Sequence, residues 1–187
     1  MSKIALSGNA SGTGTLTIAA PNTSTDRTLT LPDNTGTILT NATTTGFPAG
    51  SVLQVVGATY STQVLTSAGP VDTGLTASIT PTSATSKILV FLFQKTYISG
   101  GGADSSCNIN LVRGSTNIVS DTAHSIYIFH PTSGSEIIVN HPIIYLDSPA
   151  TTSSVTYKTT VSAGSGGSVA INWNNNISTI TLMEIAA

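Results

Sequence analysis

Charge is what this chain has least of. Asp, Glu, Lys and Arg make up 7% of its 187 residues, against about a quarter in ordinary soluble proteins. The six basic residues, Lys3, Arg27, Lys87, Lys95, Arg113 and Lys158, are strung along the whole length. That dispersal excludes a dense phosphate-binding footprint, so nucleic acid is not an expected partner. Cys107 is the single cysteine, which excludes an intrachain disulfide and leaves a buried thiol as the expectation. No apolar run reaches the roughly 18 residues of a membrane span, so no membrane insertion is expected. The opening "MSKIALSGNASG" carries no apolar signal core. A role outside the cell would then be reached by lysis of the host. Helical spacing of apolar residues is missing throughout.

What is present is β-sheet. Hydrophobic residues are 39% of the chain, too many for disorder, and the polar remainder is largely Ser, Thr, Asn and Gly. A net charge of -2 gives little repulsion between copies, which suits a chain packed against others. Apolar and polar residues alternate with period two, punctuated by Gly, Pro and Asn turns. The chain is all-β.

Two regions differ in apolar density. Residues 1–50 read as a thin β arm or shaft with strands "TLTIAA" (15–20), "TLTLPD" (28–33) and "TGTILT" (35–40). The first two share a Thr-Leu-Thr-apolar register and offer only Leu16 with Ile18, and Leu29 with Leu31. Two apolar side chains cannot offset roughly 1–2 kcal/mol of backbone entropy per ordered residue. These four residues are therefore expected at a trimer axis or interface, where copies supply the missing core. Residues 51–187 read as a β-sandwich, most plausibly a jelly roll, with strands near 52–57, 63–67, 74–80, 87–98, 105–113, 117–120, 125–130, 135–146, 152–163, 168–174 and 178–185. In "SKILVFLFQKTYI" (86–98) both faces are apolar from Ile88 to Phe93, as in a strand packed on two sides. "NLVRGSTNIV" (110–119) reads as a hairpin turning at Gly114-Ser115.

Little in the sequence proposes chemistry. The eight acids are scattered and no nucleophile or metal-protease motif occurs, so no catalytic residue and no cofactor is expected. A polysaccharide-cleaving carboxylate pair assembled from distant strands is the weaker alternative. His124, His130 and His141 lack metal-ligand spacing, so no metal site is expected within one chain; the alternative is three copies of one histidine binding a metal through imidazole on a symmetry axis. His141 interrupts an apolar strand face and reads as an interior or trimer-interface residue. Strand parity with Val169 and Ile171 places Trp173 in the core. The other reading makes Trp173 a ring for sugar stacking, with Asn174 and Asn175 bonding hydroxyls. The glycine runs 99–104 and 163–168, with segments 121–125 and 130–135, read as loops able to carry such contacts; Asp104 closes the first of them.

"GTLTIAAPNTSTDRTLTLPDNTGTILT" (14–40) resembles the recurrent segment near the N-termini of tail-fibre and other virion structural proteins of tailed bacteriophages. "SITPTSATSKILV" (78–90) and "STITLMEIAA" (178–187) resemble the body of small fibre-like proteins, many from marine and cyanobacterial phages. The resemblance implies a homotrimer at the particle surface, on tail or capsid. Residues 1–50 would attach to other virion proteins, and the C-terminal domain would face outward to a host-surface glycan. A capsid decoration, cement or head-fibre protein without receptor role is the alternative it leaves open.

Overall fold

In this computed structural model the described residues are 47–100, 104–120, 124–129, 136–164 and 167–187, with 8, 10–15, 17, 19, 22–26, 28, 30, 33 and 35. The chain divides into two units, Met1–Thr37 and Ile38–Ala187. In the first, every described residue is exposed and none lies in a strand. Leu16, Ile18, Leu29 and Leu31 lie outside the described residues.

Among its described residues the second unit holds eleven strands: β1 (Val52–Tyr60), β2 (Val64–Thr66), β3 (Val71–Ile79), β4 (Lys87–Gly100), β5 (Ser105–Arg113), β6 (Thr116–Val119), β7 (Ile126–Ile128), β8 (Glu136–Asp147), β9 (Val155–Ala163), β10 (Gly167–Ile171) and β11 (Ser178–Ile185). They form two antiparallel sheets. One has the order β1-β11-β4-β10-β2 with β8 on the other side of β4; the other has β3-β9-β5-β6 with β7 also on β5. β10 and β11 pair successive stretches of β4, so they are one strand line broken in the middle. β2 and β1 continue that break into the next line, and β6 and β7 share the free edge of β5. With broken lines merged, the connectivity is the double Greek key of a jelly roll.

Alternation explains the core. Val155, Tyr157, Thr159 and Val161 of β9 turn inward, as do Ile88, Val90, Leu92 and Ile98 of β4, Ile109 and Leu111 of β5, and Ile180 and Leu182 of β11; all are at most 9% exposed. The β5–β6 hairpin turns at Gly114-Ser115 as the sequence predicts, with φ 59° at Gly114. Cys107 is fully buried between the sheets, and burial pushes its thiol up to about 12.

Polar groups cross that core in one directed chain. Leu75 N–H donates to Thr73 Oγ1 (3.2 Å), which lies 2.5 Å from Thr159 Oγ1; Thr159 donates to Gln94 Oε1 (2.7 Å). Gln94 Nε2 donates to Ser178 Oγ (2.8 Å), Ser178 to Asn172 Oδ1 (2.5 Å), and Asn172 Nδ2 to the Thr62 carbonyl (3.1 Å). Thr73, Thr159, Gln94, Ser178 and Asn172 are all 0% exposed. The chain sits at the level where β10 gives way to β11. Backbone groups freed by that break are taken up locally: Asn172 N–H by the Lys95 carbonyl, and Lys95 N–H by Ser178 Oγ.

Candidate interaction face

The outward sides of the two sheets differ in kind. On β3, β9 and β5 the outward positions are Thr76, Ser78, Thr156, Lys158, Thr160, Asn108 and Asn110, in register with one another. That is a hydroxyl and amide surface, as one side of an antiparallel sheet facing water should be. On the β1–β11–β4–β8 sheet the outward positions include an apolar stretch, bordered by Gly57, Thr59, Thr179 and Thr181 on β1 and β11. Val55 faces Met183, Met183 faces Leu89, and Leu89 faces Leu146; Phe91 faces Ile144, and Phe93 faces Pro142. Val55 is 57% exposed, Ile144 63%, Leu146 49% and Phe93 39%. Phe91 and Phe93 meet edge to face at 5.0 Å. The two apolar faces of β4 expected from sequence are therefore real, but among the described residues only one is covered by the opposing sheet.

β8 borders this face and pairs with β4 alone among the described strands. His141 lies opposite Gln94 on its inward parity and is half-buried. The apolar row around it is more open than its alternation implied: Ile137 is 38% and Tyr145 36% exposed. The opposing sheet ends there in β6 and β7, of four and three residues, which are too short to cover a twelve-residue strand.

Trp173 is not in the core. Its parity with Val169 and Ile171 fails because β10 stops at Ile171 and Asn172 takes φ 55°, ψ 39°. A short 3₁₀ turn, Trp173–Asn175, follows, with Asn174 and Asn175 at φ 54° and 58°. Asparagine is the non-glycine residue that tolerates this left-handed region best. The detour lays the half-buried Trp173 ring flat on Tyr97, centroids 4.4 Å apart and planes within 10°. Tyr97 has outward parity on β4, yet is only 7% exposed and does not belong to the core cluster between the sheets. Burial and a hydrogen bond to Glu136 raise its hydroxyl pKa above the usual value. Asn174 and Asn175 are exposed, and Asn174 N–H donates to Gln63 Oε1 at 3.3 Å.

Asp104 is not near this ring in register. It accepts a hydrogen bond from Tyr127 of β7, which also meets the His124 ring at 5.3 Å. The structure thus joins Trp173 with Asn174 and Asn175, and places Asp104 in a separate cluster. Most of the loop residues expected to carry contacts, 101–103, 121–123, 130–135 and 165–166, lie outside the described residues. Sequence reasoning missed Tyr97 and Glu136, since nothing local to either signals that a turn 76 residues after Tyr97 will cover it.

Asp147 ties the two sheets together, and Asp72 pairs within one of them. Arg113 Nη1 lies 2.9 Å from both oxygens of Asp147, and Tyr157 Oη donates to Asp147 Oδ2 at 2.6 Å, tying β8 to β5 and β9. Lys158 Nζ meets Asp72 Oδ2 at 2.6 Å, partly in solvent.

No family model and no curated protein matches this sequence. Among solved structures, the chain matches the infectious bursal disease virus particle at 11% identity and TM-score 0.38, covering 73% of this chain and 37% of that one. A mutant VP2 protein of the same virus, in derived T=1 particles, matches at 14% identity and TM-score 0.37, again over 73% and 37% of the two chains. The chain spans under two-fifths of the length of these structures, and a likeness so slight carries no argument about its role.

Proposed function

We propose that this chain is a structural, non-catalytic protein of a tailed-phage particle, working as a homotrimer. The observation that carries this reading is the contrast between the two sheet exteriors. One is hydroxyl and amide; the other is a continuous apolar field from Val55 to Ile144. A field of this kind on a soluble subunit marks a buried interface. A second copy of the same chain is the favoured occupant. The net charge of -2 opposes self-association weakly, and the outward charges on that side, Lys87, Lys95 and Glu136, flank the apolar stretch rather than interrupt it. Pro142 near the centre of β8 interrupts the row of edge donors, which disfavours strand addition at that edge and leaves face-to-face packing.

On this reading residues 1–50 attach to other virion proteins. Leu16, Ile18, Leu29 and Leu31 complete their cores against the same residues of neighbouring copies. The jelly roll faces outward, free to meet a host-surface glycan. The resemblance of residues 14–40 to phage virion proteins supports the particle assignment, and the low charge supports close lateral packing.

Light scattering on the full chain tests the assembly. The expected mass is three times the 19.0 kDa subunit; a stable monomer would overturn the trimer. Antibody labelling of particles then separates a tail fibre from a capsid decoration.

A further inference from the structure

The break between β10 and β11 is an expensive way to make a turn. Three of the four non-glycine residues with positive φ among the described residues, Asn172, Asn174 and Asn175, fall within four positions of one another. Clustered backbone strain of this kind is kept where the surrounding structure holds a side chain for a purpose. Here the held side chain is Trp173. A straight continuation of β10 would have sent it into the sandwich by parity; the left-handed Asn172 carries it to the outer side, flat over Tyr97. The buried bonds of Asn172 to Ser178 Oγ and the Thr62 carbonyl fix that exit.

The surroundings of the ring differ from the apolar field further down the same face. Tyr97 beneath it hydrogen-bonds Glu136 and Ser99. At the next outward register Lys95 of β4 faces the exposed Asn140 of β8. The turn itself presents the exposed amide of Asn175. By register the exposed Ile138 lies opposite Tyr97, with Lys95 and Asn140 one outward step to one side and Ser99 and Glu136 one step to the other. The platform under the indole is thus flanked by one apolar side chain, one acid, one base and two amides, Asn175 included, with no net charge. We propose that Trp173, backed by Tyr97 and rimmed by Glu136, Lys95, Asn140 and Asn175, is a saccharide subsite that takes an uncharged pyranose. The C–H face of a sugar ring stacks on the indole, and its hydroxyls find both donors and acceptors at the rim. An anionic ligand would want more than Lys95, and a purely apolar one would leave the rim groups unpaired on desolvation. Each site is weak alone, and repetition over copies supplies avidity. The inference rests on the outward-facing reading of the jelly roll above.

Trp173 is the chain's only tryptophan, so its fluorescence reports this site alone. The full chain is titrated with neutral tetrasaccharides of glucose, galactose, mannose and N-acetylglucosamine. In parallel it is screened on an array bearing the same sugars and sialylated ones. The expected result is a saturable fluorescence change with at least one neutral sugar, and array binding to that sugar that Trp173→Ala removes. Trp173→Phe, which preserves a ring over Tyr97, should retain binding weakened about tenfold, and the exposed change Asn140→Ala should weaken it several-fold, at an unchanged melting temperature. No saturable change with any neutral sugar overturns the proposal. So does binding that persists in Trp173→Ala, or binding confined to sialylated sugars. A trimer by light scattering with no sugar binding defeats this site and leaves the assembly reading intact; a monomer that binds sugar does the reverse.

Discussion

Glu184 has no exposed surface, yet its surroundings favour the charged form. Burial alone would raise its pKa. Bonds from Gln54 Nε2 (2.6 Å) and from Thr82 Oγ1 and N–H (both 2.7 Å) outweigh that and hold it below the usual 4.5. A carboxyl lowered on folding stabilises above its unfolded pKa, and that contribution is lost as pH falls through the folded value. Denaturant melts across about pH 5 to 3 should therefore show falling stability, and Glu184→Gln should be less stable at pH 7 with a shallower acid slope. Gly74 is the other informative single residue. It stands at φ 81° in the bulge of β3, where an added Cβ would lie 2.3 Å from the Tyr60 ring. Gly74→Ala should cost about 2–4 kcal/mol by thermal melting, from positive φ and ring displacement together. Pairing it with Tyr60→Leu should recover part of the loss. Asp72 and Gly74 look like ordinary turn punctuation in the sequence, and only Tyr60 arriving from β1 gives the glycine its reason.

At the scale of elements, the break between β10 and β11 is held by side chains rather than by the ladder. Ser178 accepts from Gln94 Nε2 and Lys95 N–H and donates to Asn172. Ser178→Ala leaves all three unpaired in the core and should cost about 2 kcal/mol or more by denaturant melts. Combined with Gln94→Leu the losses should be clearly non-additive, because both changes cut one network. The strands themselves were legible. All eleven expected positions carry strands, and β5, β11 and the Gly114-Ser115 turn fall where alternation and turn chemistry place them. The expected strand at 168–174 ran too far. Asn172 reads in sequence as one more polar step of the alternation, and its left-handed turn is held by Ser178 six residues on and by Thr62 and Lys95, which are distant in the chain.

For the whole molecule, the apolar exterior of the β1–β11–β4–β8 sheet is the feature the assembly must cover. Ile144→Lys puts a charge at its most exposed apolar point, 63% accessible, without touching the inner core. In the trimer reading this variant should elute and scatter as a folded monomer with a nearly unchanged melting profile at low concentration. Removing residues 1–50 should abolish attachment to particles.

The sequence by itself determined an all-β chain, its strands, its inward residues and its poverty of charge, because period two, turn residues and composition are local properties. It also held the clue that β4 is apolar on both sides. Tertiary structure decided which strands pair, and so which outward residues form one field and which acids share partners. It also decided that Trp173 leaves the core, because Asn172 answers to groups from two distant parts of the chain, the Thr62 and Lys95 carbonyls. Parity within a strand cannot see a hydrogen bond that ends the strand.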